Sequence, residues 1–275
     1  MKILILGGKG MAGHVITSYF KQKPQYEVVY TSRDLDDKEG LYVDVTNATD
    51  LEKLMEQEKP DITINCIGIL NHHAEQHSKL AFHVNSVLPH QLVKLTERYQ
   101  GKLIHISTDC VFLGDKGNYT ESDAPDGTSI YAQSKQLGEI ISDKHLTVRT
   151  SIIGPELKTH GIGLFLWFMK QTGKIKGYKR ALWNGVTTIE LAKAIEVFIQ
   201  QDVTGLYHLA TEPKISKFDL LQLMKEVFQK DDVTIEEDEV FVLDRTIKNT
   251  RIDHIYTPPT YRVMLEEMKD WIQKQ

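Results

Sequence analysis

Lys2-Ile3-Leu4-Ile5-Leu6-Gly7-Gly8-Lys9-Gly10-Met11-Ala12-Gly13 opens the chain and decides its fold. Four consecutive branched apolar residues, Ile3 to Leu6, stop abruptly at glycines. The run is too short for a signal-peptide core and reads as a strand. From Met11 the rhythm changes. Met11, Val15, Ile16, Tyr19 and Phe20 recur at spacings of three and four, which predicts a helix over Met11–Lys21 closed by Pro24. The glycines at 7, 10 and 13 sit between strand and helix. Gly7 permits a tight turn, Gly10 lets the backbone approach a ligand, and Gly13 lets the helix pack closely. A helix start in that position presents free N–H groups and partial positive charge, which suits a dinucleotide pyrophosphate.

The alternation continues outward. Strands are predicted at Glu27–Thr31, Ile62–Ile67, Lys102–Ser107 and Leu146–Thr150, with helices at Leu51–Glu58, Phe82–Gln100 and Tyr131–Asp143. Strand and helix in turn, with near-continuous apolar strands, imply a doubly wound parallel α/β sheet of the Rossmann type. After Pro155 the order loosens. Helices are predicted at Phe165–Thr172, Ile189–Gln201, from Ser216, and at Tyr261–Lys274, with a strand at Leu206–Leu209. Asp231–Glu239 is acidic and reads as a solvated loop and edge. Residues 1–153 are therefore taken as a dinucleotide-binding domain, with 183–210 returning to its sheet. Residues 154–275 are taken mainly as a smaller C-terminal substrate-binding subdomain.

Composition narrows the function. The 275 residues are 41% hydrophobic and 26% charged, with a net charge of −5. This does not favour nucleic acid or an anionic membrane as partner. No apolar run approaches the ~20 residues that span a bilayer. Cys66 and Cys110 form no disulfide framework and suit a reducing, cytoplasmic setting. His72, His73, His77 and His83 cluster near Glu75. His73 and His77 could share a metal on a helix, but no complete ligand set accompanies them. A polar loop is expected and no metal.

Several positions carry chemistry. The end of the second strand reads Tyr30-Thr31-Ser32-Arg33-Asp34. Ser32 and Arg33 suit a ribose 2′-phosphate and favour NADP(H), while Asp34 keeps NAD(H) in view. Asp44, followed by Val45, could accept from an adenine amino group or cap a helix. Tyr131 and Lys135 lie four apart on a predicted helix, hence on one face. An ammonium beside a phenol, together with the positive nicotinamide of an oxidised cofactor, favours the phenolate, so the pair could exchange a proton with a carbonyl. Thr108, at a strand's carboxyl end, is placed to bond the same oxygen. Thr108, Tyr131 and Lys135 are the catalytic candidates. Cys110 is read as a packing residue, since hydride transfer needs no thiol.

Ser107-Thr108-Asp109-Cys110-Val111-Phe112, Gly117-Asn118-Tyr119-Thr120-Glu121, Tyr131 to Lys135 and Gly138-Glu139 together resemble the dTDP-4-dehydrorhamnose reductase family. Asn65-Cys66-Ile67-Gly68 and Arg149-Thr150-Ser151 follow the same layout. The resemblance covers residues 1–155 well and the rest loosely. It implies an extended short-chain dehydrogenase/reductase with Thr108, Tyr131 and Lys135 as its triad, reducing the 4-keto group of a deoxysugar nucleotide. It also implies cofactor contacts from Gly7, Gly10, Met11, Arg33, Asp44, Val45, Cys66, Ile67, Gly68 and Asn85. The chain is equally similar to reductases of UDP-linked 2-acetamido-2,6-dideoxy-hexuloses. It departs where Cys110 stands for the family's frequent Tyr, and where Trp183-Asn184-Gly185-Val186-Thr187-Thr188 replaces a Gly-x-Pro-Thr segment.

Substrate contacts are expected from Asp109, Val111, Phe112, Phe165, Asn184 and Arg251. Phe165 and Trp167 could stack a base or pack a core. Arg251 and Arg180 suit a diphosphate through their forked donors. The expected partners are the nucleotide-sugar substrate and, at most, a second copy of the chain as a homodimer. Two other readings fit the same motifs: an epimerase that retains its NAD, and a non-catalytic NADP-binding regulatory subunit. An intact Tyr131–Lys135 pair argues against the latter.

Overall fold

Ile3, Leu4, Ile5 and Leu6 are wholly buried, and the strand they form, β1 (Lys2–Leu6), lies inside a seven-stranded sheet. The computed structural model describes all 275 residues. Elements are numbered in chain order. β1 pairs in parallel with β2 (Glu27–Ser32) on one side and with β4 (Ile62–Asn65) on the other. β2 pairs in parallel with β3 (Leu41–Tyr42), and β4 with β5 (Lys102–Thr108). With β6 (Leu146–Thr150) and β10 (Gly205–His208), the order is β10-β6-β5-β4-β1-β2-β3. The chain winds outward from β1 to β3, then resumes at β4 on the other side of β1. That reversal is the switch point beyond whose carboxyl ends such sheets bind ligands. The expected Rossmann sheet is borne out.

Helices α1 (Met11–Lys21), α2 (Ala48–Glu58), α5 (Leu88–Arg98) and α6 (Ile130–Leu137) accompany these strands. Leu4, Leu6, Leu51, Met55, Leu88, Leu92 and Leu103 share one apolar cluster. The chain divides into two compact units. The first is Met1–Leu113, Ala124–Arg149 and Asp202–Tyr207; the second is Gly114–Asp123, Thr150–Gln201 and His208–Gln275. No helix is long and apolar enough to cross a membrane.

Two helices of the first unit differ from the sequence reading. In place of one helix over 82–100, α3 (Asn71–Gln76) and α4 (Ser78–Phe82) lead into a π-helical turn, His83–Val87, and then α5. Pro89 is the cause. It has no N–H to donate to Asn85, four residues back, so the ladder slips there. Helix α6 ends at Leu137 rather than Asp143. Gly138 caps it, and a Cβ there would lie 1.8 Å from the Asn85 carbonyl oxygen. The freed carbonyl is thus covered by glycine backbone.

The second unit has a three-stranded sheet in the order β11-β8-β12. β8 (Gly173–Trp183) pairs antiparallel with β11 (Ile215–Ser216) and parallel with β12 (Val233–Asp244). β7 (Ile152–Ile153) pairs with β9 (Val186–Thr187). Helices α7 (Leu164–Met169), α8 (Thr188–Gln200), α9 (Lys217–Phe228) and α10 (Tyr261–Gln273) complete it. The acidic stretch read as a loop lies largely inside β12. Its acids face lysines of β8: Glu236 with Lys174 at 2.6 Å, Asp238 with Lys176 at 2.8 Å, and Glu237 with Lys179 at 3.4 Å. The Ser216 hydroxyl caps α9, accepting from Asp219 N–H at 3.0 Å.

Candidate active site

The glycine bend follows β1, Cys66-Ile67-Gly68 follows β4, and Thr108 closes β5. These strands are parallel neighbours, so all three segments lie at one edge of the sheet. Gly7 adopts φ +82°, a conformation that glycine tolerates best. Its N–H donates to Thr31 Oγ1 at 3.2 Å, and Gly8 N–H to the Thr31 carbonyl at 2.9 Å. A Cβ on Gly13 would stand 2.1 Å from the Gly7 carbonyl oxygen, so α1 packs closely against the bend. At the start of α1, Gly10 offers no side-chain cap and the first turn holds no acid. A helix start with unclaimed donors and no competing carboxylate fits an anionic diphosphate.

A loop beyond β2 is tied to this bend, which sequence reasoning missed. The Tyr30 hydroxyl donates to Asp37 Oδ1 at 2.9 Å, and Lys9 approaches Asp37 Oδ2 at 3.7 Å. The Tyr30 ring covers Gly8, where a Cβ would come within 2.3 Å of it. Ser32 is buried and its hydroxyl accepts from Asp34 N–H at 3.0 Å, leaving Arg33 exposed at the turn. Asp44 Oδ1 accepts from Thr46 N–H at 3.0 Å and from its hydroxyl at 2.8 Å. Those bonds hold its carboxyl below the ordinary range. Asp44 thus shapes the approach to α2, while Asn47 caps the helix by accepting from Thr49 N–H at 3.1 Å. Val45 is buried.

Asn85 is also structural in its contacts. Its Oδ1 accepts from Ile69 N–H at 2.8 Å, and its Nδ2 donates to Ile69 O and Ser134 Oγ, both at 2.9 Å. It therefore braces the chain after Gly68 against α6. Met11 is half-buried at the first position of α1.

Thr108 closes β5, and Tyr131 and Lys135 lie one turn apart on α6. All three are buried, at 7%, 9% and 3% exposure. The Thr108 hydroxyl lies beside the Tyr131 phenol. The expected acidification of Tyr131 is not found. Burial raises its phenol, with the neighbouring Cys110 and Asp109 adding to the rise and Thr108 opposing it. Lys135 does not offset this, because its Nζ donates to the Ile106 carbonyl at 2.7 Å and meets His105 Nε2 at 3.2 Å. Burial lowers the Lys135 amine to about 8, against the pull of Glu139 and Cys66.

A buried ion pair supports the triad. Glu139 receives Arg149 Nε and Nη2, each at 2.7 Å, and Ser107 Oγ at 2.7 Å. The Arg149 guanidinium also stacks 5.1 Å from the Phe112 ring centroid. Phe112 and Val111 are fully buried. Asp109 Oδ1 accepts from the Thr108 hydroxyl at 3.1 Å.

The remaining candidates belong to the second unit. Asn184 is buried and bracketed by Ile247, donating to its carbonyl at 2.7 Å and accepting from its N–H at 3.2 Å. Phe165 packs on Phe228 with ring centroids 4.8 Å apart, which is core packing. Trp167 is 39% exposed. Arg251 Nε donates to Asp253 at 2.9 Å, and Glu121 fixes the adjoining Thr250 through its N–H at 3.0 Å. His73 and His77 stack at 4.3 Å on and just beyond α3, in place of the expected polar loop.

Known proteins share this arrangement's sequence and fold. The profile described as RmlD substrate binding domain matches residues 1–250. A dTDP-4-dehydrorhamnose reductase of Aggregatibacter actinomycetemcomitans is 27% identical over 231 residues, covering 79% of this chain and 76% of that protein. A crystal structure of a dTDP-4-dehydrorhamnose reductase from Clostridium acetobutylicum superposes with a TM-score of 0.82 at 24% identity, covering 99% of this chain and 100% of that one. One from Bacillus anthracis, in complex with NADP, gives 0.83 at 20% identity, covering 100% and 99%. At such identities the structural likeness speaks to the fold.

Proposed function

The chain belongs to the RmlD substrate binding domain family, and from that premise we propose that it reduces the 4-keto group of a nucleotide-linked 6-deoxy-hexulose. The observation that carries the reading is that Thr108 stands beside the Tyr131 phenol, with Lys135 reaching β5 from the same helix, at the sheet edge that also holds the glycine bend. The cofactor, when bound, supplies hydride. NADP(H) is favoured over NAD(H), because Arg33 stands exposed after buried Ser32 with no acidic side chain at either position.

The residues divide the remaining work. Thr108 and Tyr131 offer two hydroxyls to one carbonyl oxygen and so orient it. Tyr131 gives that oxygen its proton. A phenol held above its ordinary value by burial is fully protonated near neutral pH, which is the form a reduction needs. Lys135 holds the cofactor ribose. The Ser107–Glu139–Arg149 cluster keeps the end of β5, and hence Thr108, in register.

An NADPH-oxidation screen against dTDP- and UDP-linked 4-keto-6-deoxy sugars tests the proposal. Oxidation matched mole for mole by the 4-hydroxy sugar supports it. NADPH left unconsumed with every such sugar overturns it.

A further inference from the structure

A second line of buried polar groups runs beneath the triad. Ile67 N–H donates to Asn65 Oδ1 at 3.1 Å. A backbone amide can only donate, so this contact fixes which end of the Asn65 amide is oxygen and turns Nδ2 toward His105. Asn65 Nδ2 lies 3.1 Å from His105 Nδ1. An amide NH2 also only donates. Nδ1 is therefore the accepting nitrogen, and the imidazole proton sits on Nε2. That atom faces Lys135 Nζ at 3.2 Å. Asn65 and His105 are wholly buried and Lys135 nearly so, so bulk solvent does not rescue a mismatched contact.

An ammonium has three donors and no acceptor. It cannot receive Nε2–H. A neutral amine can, while still donating to the Ile106 carbonyl at 2.7 Å. We propose that Asn65 and His105 are positioning residues whose fixed hydrogen-bond register favours the uncharged amine of Lys135 in the cofactor-free protein. Its meaning for turnover rests on the reductase reading: Lys135 then gains its proton as the cofactor ribose supplies acceptor oxygens.

The surroundings agree. Burial keeps the His105 imidazole well below its usual value, with the basic side chains of Lys135 on α6 and His90 on α5 nearby. His105 is thus neutral and has one tautomer to choose. Lys135 faces Glu139 just beyond its own helix and Cys66 beyond β4, with Tyr131 one turn earlier. Glu139 is already paired with Arg149. The Cys66 thiol, pushed up to about 12 by burial, stays uncharged.

Long-range 1H–15N NMR on the cofactor-free, histidine-labelled chain tests the register directly. The His105 signal is assigned by its loss in His105→Gln. The expected result is Nε2–H with a bare Nδ1 from about pH 8, where the Lys135 amine loses its proton, to about pH 9. An Nδ1–H tautomer overturns the proposal, because Nε2 would then accept from an ammonium. Asn65→Asp inverts the register: a carboxylate takes Nδ1–H and frees Nε2. The Lys135 amine, followed by 13C NMR of labelled lysine and assigned with Lys135→Arg, should then hold its proton about tenfold more tightly, one pKa unit. An unchanged or weaker hold overturns the proposal. Should Asn65→Asp not fold, the wild-type tautomer decides alone. Neither measurement needs substrate, so an inactive reductase and a wrong register remain distinct results.

Discussion

Glu139 grips Arg149 by both Nε and Nη2 at 2.7 Å while accepting from Ser107, the residue before Thr108. Each side chain of the pair is under 5% exposed. Arg149→Met leaves a carboxylate buried without its cation, which costs ~3–5 kcal/mol. Urea unfolding followed by circular dichroism should show a loss of that size. A loss below ~1 kcal/mol, the range of exposed pairs, would mean the cluster does not hold β5.

Tyr131→Phe removes one oxygen from the centre of the site and keeps the ring that packs there. Turnover should fall by about 10²–10⁴-fold, the usual contribution of a placed proton donor. NADPH affinity, followed by fluorescence, should stay unchanged. Retained turnover would remove Tyr131 from the proton path.

Burial lowers the Lys135 amine from 10.5 to about 8. Between those values the unfolded chain binds more protons at this residue than the folded one. The Lys135 contribution to stability therefore rises with pH across that window, by at most ~1.4 kcal/mol per unit. Tyr131 acts oppositely above its ordinary 10, since its folded-state value is raised. The unfolding free energy of wild type minus that of Lys135→Met, measured from about pH 8 to about pH 10, should slope upward. A flat or falling difference contradicts the buried amine.

Gly13→Ala puts a methyl 2.1 Å from the Gly7 carbonyl oxygen. The bend or the helix must shift, at a cost of ~1–3 kcal/mol. NADPH binding should weaken by about tenfold or more while the far-ultraviolet circular dichroism persists. Undiminished binding would place the dinucleotide elsewhere.

Arg33→Asp exchanges a cation for a carboxylate that can accept from a free 2′-hydroxyl. The ratio of kcat/KM for NADPH to that for NADH should fall by about tenfold or more. A constant ratio would show that Arg33 does not meet the 2′-phosphate.

The first unit's sheet was readable because its strands carry their own signal. Ile3–Leu6 and Ile62–Ile64 are apolar runs bounded by breakers, and Tyr131 and Lys135 declare one helix face by spacing alone. β8 and β12 were not readable. Their lysines and acids look like solvated loop until the two strands lie side by side, and that pairing joins residues some sixty positions apart, as in Lys176 and Asp238. The π-helical turn depended on one missing donor at Pro89, too local a cue to break a strong helical period. In the site, His105 reads as an ordinary buried residue of a strand. Only the fold brings Asn65 to one side of it and Lys135 to the other. The acidified phenol failed for a related reason. Spacing placed the Lys135 side chain near Tyr131 but could not foresee that Ile106 and His105 would claim its nitrogen.

The charge ladder between β8 and β12 makes the second unit's outer strand sensitive to ionic strength. Each rung has at least one side chain more than half exposed, and ions at 0.1 M screen such pairs over about 10 Å. The first unit's inner strands are held by hydrocarbon that salt does not weaken. Brine should therefore peel β12 from its sheet first, and hydrogen exchange along Val233–Asp244 would quicken while β1 stays closed.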